Sequence, residues 1–455
     1  MTSRLPTLVV GGGISGLACA YALRNKGIDT ILLEVSSRAG GVIRSEARDG
    51  FLFECGPQSF SSTPILLKLI HELGLDHQLV QAPPRAPRYV LINGKLRPVP
   101  LSPQALLASS LLSLSTKWSI LREPFGSTRP PGADESVADF VRRKFTPELL
   151  DRLAGPFVSG IYAGDPETLS FRAAFPQLHA AEKSAGSLLR GMMRAAKARK
   201  EPRHRPLLLS FHDGNEILVR TLADRLGPSL HYDVEVREIL HTGADSFRVA
   251  AQSPGGALEF EGSRVVLATP TFVSSLLLKN SLPRCEQSLN EICYAPVAVV
   301  SLGYRRSDVG HSLEGFGFLV PRSAELRSLG TVWNSSLFPG RAPQNHVLLT
   351  SFVGGATDPA AIELSPGDLA ALVHRELSAV LDFRQHPAIT NVTIYRRAIP
   401  QYNLGHTHRL TAIESARAAS RGIWLSGNYF CGPAIGSCIE SALSVAEEVR
   451  LSYNS

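Results

Sequence analysis

Thr7 to Val10 is a short, almost wholly apolar run, Ile14 to Lys26 repeats its apolar positions at helical spacing, and Asp29 to Leu33 is a second apolar run that stops at Glu34. Continuous apolar runs suit strands buried on both faces, and the 3.6-residue recurrence suits the helix between them, so the N-terminus reads as a β-α-β unit. Helical spacing returns from Ser136 to Leu153, with Thr146 as an N-cap and Pro147 at the first helical position. The uncharged stretch from Pro98 to Thr116 holds three Pro and five Ser, too interrupted to cross ~30 Å of hydrocarbon. Within it, Gln104 to Leu114 reads as a helix lying in a core, a pocket wall or a membrane surface.

Strand patterns dominate the second half. Leu230 to Ile239, Phe247 to Ala251 and Arg264 to Leu267 form one group, and Val297 to Tyr304, Phe316 to Val320 and Val347 to Val353 form another. Asp368 to Leu381 is an amphipathic helix, Gly422 to Leu425 a short strand, and Gly436 to Val449 a closing helix.

At 455 residues the chain is long enough for about three domains of ~150 residues. A composition of 44% hydrophobic and 19% charged residues fits a folded globular protein and excludes disorder for most of it. The formal charge is 47 − 40 = +7, and residues 190–206 alone carry seven Lys/Arg against one Glu. That single run, without interleaved aromatics or apolar periodicity, reads as a mobile surface loop and argues against a nucleic-acid partner.

The six cysteines, Cys19, Cys55, Cys285, Cys293, Cys431 and Cys438, form no CxxC pair and read as reduced, small apolar residues. The N-terminus lacks the basic, apolar and small-residue order of a secretory signal, so a reducing, cytoplasmic setting is expected. A catalytic metal is not expected, because His406-Thr407-His408 is the one close pair of ligand-type residues and reads as hydrogen-bonding residues on a loop.

Chemistry concentrates at the N-terminus. Gly11, Gly13 and Gly16 make G-x-G-x-x-G between strand and helix, where glycines let backbone approach a pyrophosphate and the helix N-terminus faces its charge. Glu34, at the end of the second strand, suits ribose hydroxyls. Arg38, Gly40, Gly41 and Arg44 follow directly, a flavoprotein pattern in which the glycines admit a second pass of backbone and Arg38 meets a phosphate or holds the loop.

With these motifs the chain resembles the superfamily of FAD-containing amine oxidases and protoporphyrinogen oxidases. Gly427-Asn428-Tyr429, Gly432, Ile435 and Gly436 are similar to its closing motif, with a helix N-terminus offered to the flavin. Gly56-Pro57-Gln58-Ser59-Phe60, Glu123-Pro124-Phe125, Gly155 to Pro166, Gly315 to Pro321, Phe352 to Gly355 and Ile399 to Tyr402 resemble the protoporphyrinogen oxidases in particular, over nearly the whole length. The resemblance implies an α/β fold with a Rossmann-like FAD-binding domain of the p-hydroxybenzoate-hydroxylase type in three segments, 1–78, 207–275 and 397–455. A mixed-sheet substrate domain would take 79–100, 173–206 and 276–396, and a helical membrane-associated region 101–172.

It further implies that Ile14, Ser15, Val42, Pro57, Gln58, Ser59, Val236 and Ser437 complete the FAD site. Arg88 would pair with a substrate carboxylate, Phe316, Leu319, Val332 and Leu349 would sandwich a macrocycle, and Gly160 would orient it over the flavin. The implied reaction takes six hydrogens from a porphyrinogen in three two-electron steps, with oxygen as acceptor and hydrogen peroxide as product, in heme biosynthesis. Protoporphyrinogen IX is the expected substrate, with coproporphyrinogen III the nearest alternative. An amine or carotenoid oxidoreductase, or a flavin-binding scaffold without turnover, are the others. Peripheral contact with the inner face of the cell membrane and a homodimer complete the expectations.

Overall fold

The computed structural model describes residues 5–100, 102–126, 132–198, 206–243 and 246–453. Its first layer is a five-stranded parallel sheet in the spatial order Leu230–His231, Thr30–Leu33, Thr7–Val10, Arg264–Leu267 and Ile423–Leu425. Thr7–Val10 and Arg264–Leu267 are buried at every position, as expected of parallel strands covered on both faces. On one face the helices Ile14–Asn25, Glu216–Leu226 and Ile435–Ser452 pack a core around Leu17, Val219 and Ile439. On the other lie an antiparallel three-stranded sheet, Glu235–Gly243, Ser246–Ser253 and Gly256–Gly262, and the helices Thr271–Leu278 and His406–Ala418.

A seven-stranded mixed sheet forms the second layer, ordered Ile389–Pro400, Tyr294–Arg305, His346–Gly354, Ser328–Val332, Gly317–Leu319, Arg88–Ile92 and Lys95–Pro98. Its pairs are antiparallel except Gly317–Leu319 with Arg88–Ile92. The helix Pro366–Leu381 covers one face. Gly155–Tyr162, part of a group of short helices between residues 102 and 198, lies over the other through the contact of Gly160 with Leu319.

The N-terminal β-α-β unit, the strands Arg264–Leu267 and His346–Gly354 and the two late helices form as the pattern predicts. Five readings change. The run from Leu230 to Ile239 is two strands in different sheets, because Asp233 takes φ +55° and turns the chain. The helical spacing from Ser136 to Leu153 breaks at Phe145, and Thr146 then caps Pro147–Leu149 through its side chain, as expected. The helix expected over Gln104 to Leu114 stops at Ala108, after which Ser109 is extended and Leu111 and Leu112 enter the core.

The basic run is helical, not a loop, from Leu188 to Ala198; its remaining residues up to 205 lie outside the described ones. Gly191 lets that helix pack closely on its neighbour, because a Cβ there would stand 1.9 Å from the Ala181 carbonyl oxygen of the adjacent helix. The buried Glu123 carboxylate caps its N-terminus by accepting hydrogen bonds from the Ser187 hydroxyl and the Leu188 and Leu189 N–H groups. Finally, His406 and His408 begin a helix. All six cysteines are free, as expected; Cys19, Cys55, Cys285 and Cys438 are buried, and Cys293 and Cys431 are exposed. Among the described residues no helix is long and apolar enough to cross a membrane.

Candidate functional site

Two cavities open on either side of a shared wall. The first, about 430 Å³, lies at the C-terminal ends of Thr7–Val10 and Thr30–Leu33. Gly11, Gly13, Ile14, Ser15, Glu34, Gly40, Gly41, Val42, Pro57, Val236, Gly427, Asn428 and Ile435 all line it. The helix Ile14–Asn25 starts at this cavity with Gly13 as N-cap, and no side chain caps it; the helix Ile435–Ser452 does the same with Ala434. Two helix N-termini thus present uncapped N–H groups and positive dipole ends to one space.

Glycine makes the close approaches. Gly11 adopts φ +103°, and a Cβ on Gly16 would stand 1.8 Å from the Gly11 carbonyl oxygen, so the helix begins directly against the turn. Glu34 is 7% exposed and accepts hydrogen bonds from the N–H groups of Gly12 (2.5 Å) and Ser36 (2.8 Å), which aim its carboxylate at the first turn. Gly40 N–H donates to the Gly12 carbonyl at 2.7 Å and brings the second pass of backbone alongside the first.

The sequence left two roles for Arg38, and the geometry selects one. Its guanidinium donates to the carbonyls of Ala39, Gly41 and Ile43, so it holds the loop. Arg44 pairs with Glu46 at 3.2 Å and does not line the cavity. Gly56, Gly436 and Ser437 also lie behind the lining: a Cβ on Gly56 would meet the Val42 carbonyl oxygen at 2.1 Å, and one on Gly436 the Thr63 side chain at 3.1 Å. These glycines are packing residues.

The second cavity, about 500 Å³, is lined mainly by apolar groups and includes Gln58, Ser59, Arg88, Gly160, Phe316, Leu319 and Val332. Pro57 and Ala398 line the first cavity while their neighbours Gln58 and Ile399 line the second, so the two are one wall apart. Gln58 is fixed by donating to the Glu54 and Gly56 carbonyls, each at 2.9 Å, and by accepting from Asn334 Nδ2 at 2.6 Å. Arg88 is exposed at the edge, with its guanidinium 5.1 Å from the Phe316 ring centre. Leu349 is not part of this cavity. It is fully buried on the opposite face of its strand, in the core beneath Pro366–Leu381, because alternate residues face opposite ways; Phe352 lines the cavity instead.

Of the groups that hold this wall, sequence reasoning read His406 as a hydrogen-bonding residue, which it is, and missed the part of Tyr402. Tyr402 hydroxyl donates to the Asn428 carbonyl at 2.5 Å and accepts from Gly432 N–H at 2.6 Å, pinning both ends of the loop beside the first cavity. His406 stacks on Tyr402 at 4.2 Å and donates from Nε2 to the Tyr429 carbonyl at 2.9 Å; burial holds its imidazole down to about 4, so it is neutral. Tyr402 lies within the Ile399 to Tyr402 segment, which was its sequence signal.

A second buried network joins Arg341, which is fully buried, to Ser210 Oγ at 2.6 Å and Glu54 at 3.5 Å. Glu54 also accepts from Ser45 Oγ (2.6 Å) and Asn215 N–H (2.8 Å); burial raises it to about 7 against the pull of Arg341. Asn215 in turn donates to the Pro57 carbonyl at 2.8 Å, which ties the network to the shared wall. Arg397 is a cation lining the first cavity, stacked 4.4 Å over Phe272. No cluster of three or more His, Cys, Asp or Glu that could hold a metal occurs among the described residues.

Comparison with known proteins bears on this pair of cavities. Residues 14–450 match the family model described as flavin containing amine oxidoreductase. Protoporphyrinogen oxidase 1, chloroplastic, of Arabidopsis thaliana is 36% identical over 472 residues, which is 97% of this chain and 87% of that protein. Coproporphyrinogen III oxidase of Bacillus subtilis is 28% identical over 469 residues, 97% of both chains. Among solved structures, that of a provisionally named protoporphyrinogen oxidase from Exiguobacterium superposes with a TM-score of 0.82 at 27% identity over 99% of both chains. Putrescine oxidase shares the fold at a TM-score of 0.72 and 18% identity.

Proposed function

Since this chain belongs to the flavin-containing amine oxidoreductases, and within them to the protoporphyrinogen oxidases, we propose that it oxidises protoporphyrinogen IX to protoporphyrin IX in porphyrin biosynthesis, with FAD as its cofactor. The observation that carries the reading is the pairing of a glycine-lined cavity at the strand ends with an apolar one across a shared wall. The first cavity fits FAD on its own terms, with two uncapped helix N-termini, backbone brought close by glycine, and a carboxylate aimed at the first turn. When bound, FAD supplies the two-electron oxidation, repeated three times per porphyrinogen with oxygen as final acceptor.

The chain's own residues supply the rest. Phe316, Leu319, Val332 and Phe352 offer an apolar slot for a flat macrocycle and exclude water from it. Arg88 at the edge meets a carboxylate arm through parallel hydrogen bonds. Gly160 keeps room for the ring, because a Cβ there would stand 2.7 Å from Leu319 Cδ2. The domain assignment follows the same reading. Segments 1–78, 207–275 and 397–455 build a FAD domain of the p-hydroxybenzoate-hydroxylase type, and 79–100, 173–206 and 276–396 the substrate domain. The test is aerobic turnover: protoporphyrinogen IX should yield protoporphyrin fluorescence, while putrescine and other amines should not consume oxygen.

The helical segment 101–172 is proposed to rest on a membrane surface. On the helix Leu114–Arg122 and the turn after it, Leu114 (82% exposed), Trp118 (60%), Leu121 and Phe125 (88%) form an apolar face at i, i+4 and i+7 spacing. Met192 and Met193 are exposed on Leu188–Ala198, which carries Arg190, Arg194 and Lys197. Apolar insertion beside cations suits an anionic bilayer. Flotation with anionic vesicles should carry the protein up and leave Trp118→Glu behind; a wild type that stays in the soluble fraction at low salt ends this part of the reading.

A further inference from the structure

The substrate cavity has a second end, and its charge is unlike the first. A side cavity of about 380 Å³ adjoins it, with Ser159 and Leu329 lining both. Strand register sets the separation of the ends. Arg88 is level with Gly317 and Val332, Leu319 is level with Gly330, and beyond that pair Val320, Pro321, Ser328 and Leu329 line the side cavity. Three to four residues of extended chain put it on the order of 10 Å from Arg88 along the floor of the slot.

Arg88 has no carboxylate within ion-pair distance among the described residues and rests against the Phe316 ring. The three arginines at the other end are all engaged. Arg142 is held by both oxygens of Glu167 (2.8 and 2.5 Å), Arg327 by both of Asp358 (2.7 and 2.9 Å), and Arg322 by Asp165 at 3.2 Å. Asp151, which accepts from the Ser323 hydroxyl at 2.8 Å, and Glu325 add two carboxylates with no cationic partner among the described residues. Four carboxylates thus line this end beside the three guanidinium groups, Asp165 holds Arg322 from outside the lining, and among the described residues no cation there is free for a ligand.

We propose that the two ends of this cavity select the porphyrinogen by charge, accepting one whose carboxylate arms lie along a single edge at Arg88 and rejecting one that also carries carboxylates on the opposite edge. This rests on the porphyrinogen-oxidase reading and deepens it. A dicarboxylate such as protoporphyrinogen IX places only apolar groups over Leu319 and Leu329. Coproporphyrinogen III, with four propionates, sends two toward carboxylates already holding the local arginines, where a new carboxylate is repelled.

The test compares binding of the oxidised porphyrins, protoporphyrin and coproporphyrin, by fluorescence, together with turnover of both porphyrinogens. The wild type should bind protoporphyrin at least tenfold more tightly and show a matching preference in kcat/KM. Glu167→Gln with Asp358→Asn frees Arg142 and Arg327, and should tighten coproporphyrin binding by roughly three- to tenfold. Protoporphyrin should stay within twofold. If that double variant melts early, Asp151→Asn with Glu325→Gln removes repulsion without breaking an ion pair and should shift the ratio the same way. Equal binding of the two porphyrins by the wild type, or an unmoved ratio in folded variants, overturns the proposal while the oxidase reading stands. Failure of the wild type to turn over either porphyrinogen overturns the oxidase reading itself.

Discussion

Replacing Tyr402 with Phe removes one hydroxyl and two hydrogen bonds. The lost bonds are the donation to the Asn428 carbonyl (2.5 Å) and the acceptance from Gly432 N–H (2.6 Å), and the ring itself stays packed on His406. Tyr402 is only 2% exposed, whereas Asn428 and Gly432 are half-buried, so water recovers part of the loss. At ~1 to 1.5 kcal/mol per bond, the apoprotein should lose ~2 to 3 kcal/mol of stability. Asn428 lines the cofactor cavity, so a loosened loop must be ordered again when FAD binds. Paying ~1.4 kcal/mol of that at binding weakens FAD affinity about tenfold. Thermal melting of the apoprotein and FAD titration by fluorescence quenching measure the two parts. Tyr162→Phe is the control: it loses a single bond to the Ala174 carbonyl (3.0 Å), away from the loop, and should cost ~1 kcal/mol of stability with FAD affinity within twofold. Tyr402→Phe with unaltered FAD affinity refutes the claim that this hydroxyl orders the cofactor loop.

Glu34→Ala removes the acceptor for Gly12 and Ser36 N–H and the group facing the ribose; equilibrium dialysis should show FAD affinity falling by at least tenfold, and a wild-type value would contradict the assignment. Arg88→Ala should raise KM first, while Gly160→Ala, which drives Leu319 into the slot, should lower kcat several-fold; both should keep FAD by absorbance, and shared loss of FAD would make the two residues structural. His406 makes stability depend on pH. Its folded pKa, about 4, lies below the ordinary 6.5, so its stabilising effect is complete above pH 6.5 and fades as pH falls toward 4, by an amount on the order of 3 kcal/mol. Urea unfolding at pH 7 and 4.5 should show this component in the wild type and not in His406→Gln, and an equal pH response in both would show the group to be irrelevant.

Legibility in the sequence followed the range of the interaction. Thr7–Val10, Ile14–Asn25 and the G-x-G-x-x-G turn depend on neighbours in the chain, and their pattern carried them. Glu34 was legible because a strand end is a local fact. Leu349 was misplaced because a motif position does not say which face of a strand a side chain takes, and a one-residue step reverses it. The role of Arg38 needed the carbonyls of Ala39, Gly41 and Ile43 to converge, which spacing does not reveal. Helix Leu188–Ala198 was overlooked because the basic charge of the run masked the helical spacing of Leu188, Leu189, Met192 and Met193; the Glu123 cap and the close approach at Gly191, which fix it in place, come from elsewhere in the chain. The Tyr402 and Arg341 networks link residues far apart in sequence, and no local pattern marks a buried hydrogen bond of that kind.

The central claim is that a porphyrinogen in the second cavity gives its electrons to FAD in the first. Anaerobic rapid mixing of the FAD-loaded protein with protoporphyrinogen IX tests it directly. The account predicts bleaching of the flavin absorbance near 450 nm in a single saturable phase, slowed at low substrate by Arg88→Ala, and return of the colour on admitting oxygen as protoporphyrin fluorescence grows. Flavin that stays oxidised under saturating porphyrinogen, in protein that dithionite still reduces, would contradict it.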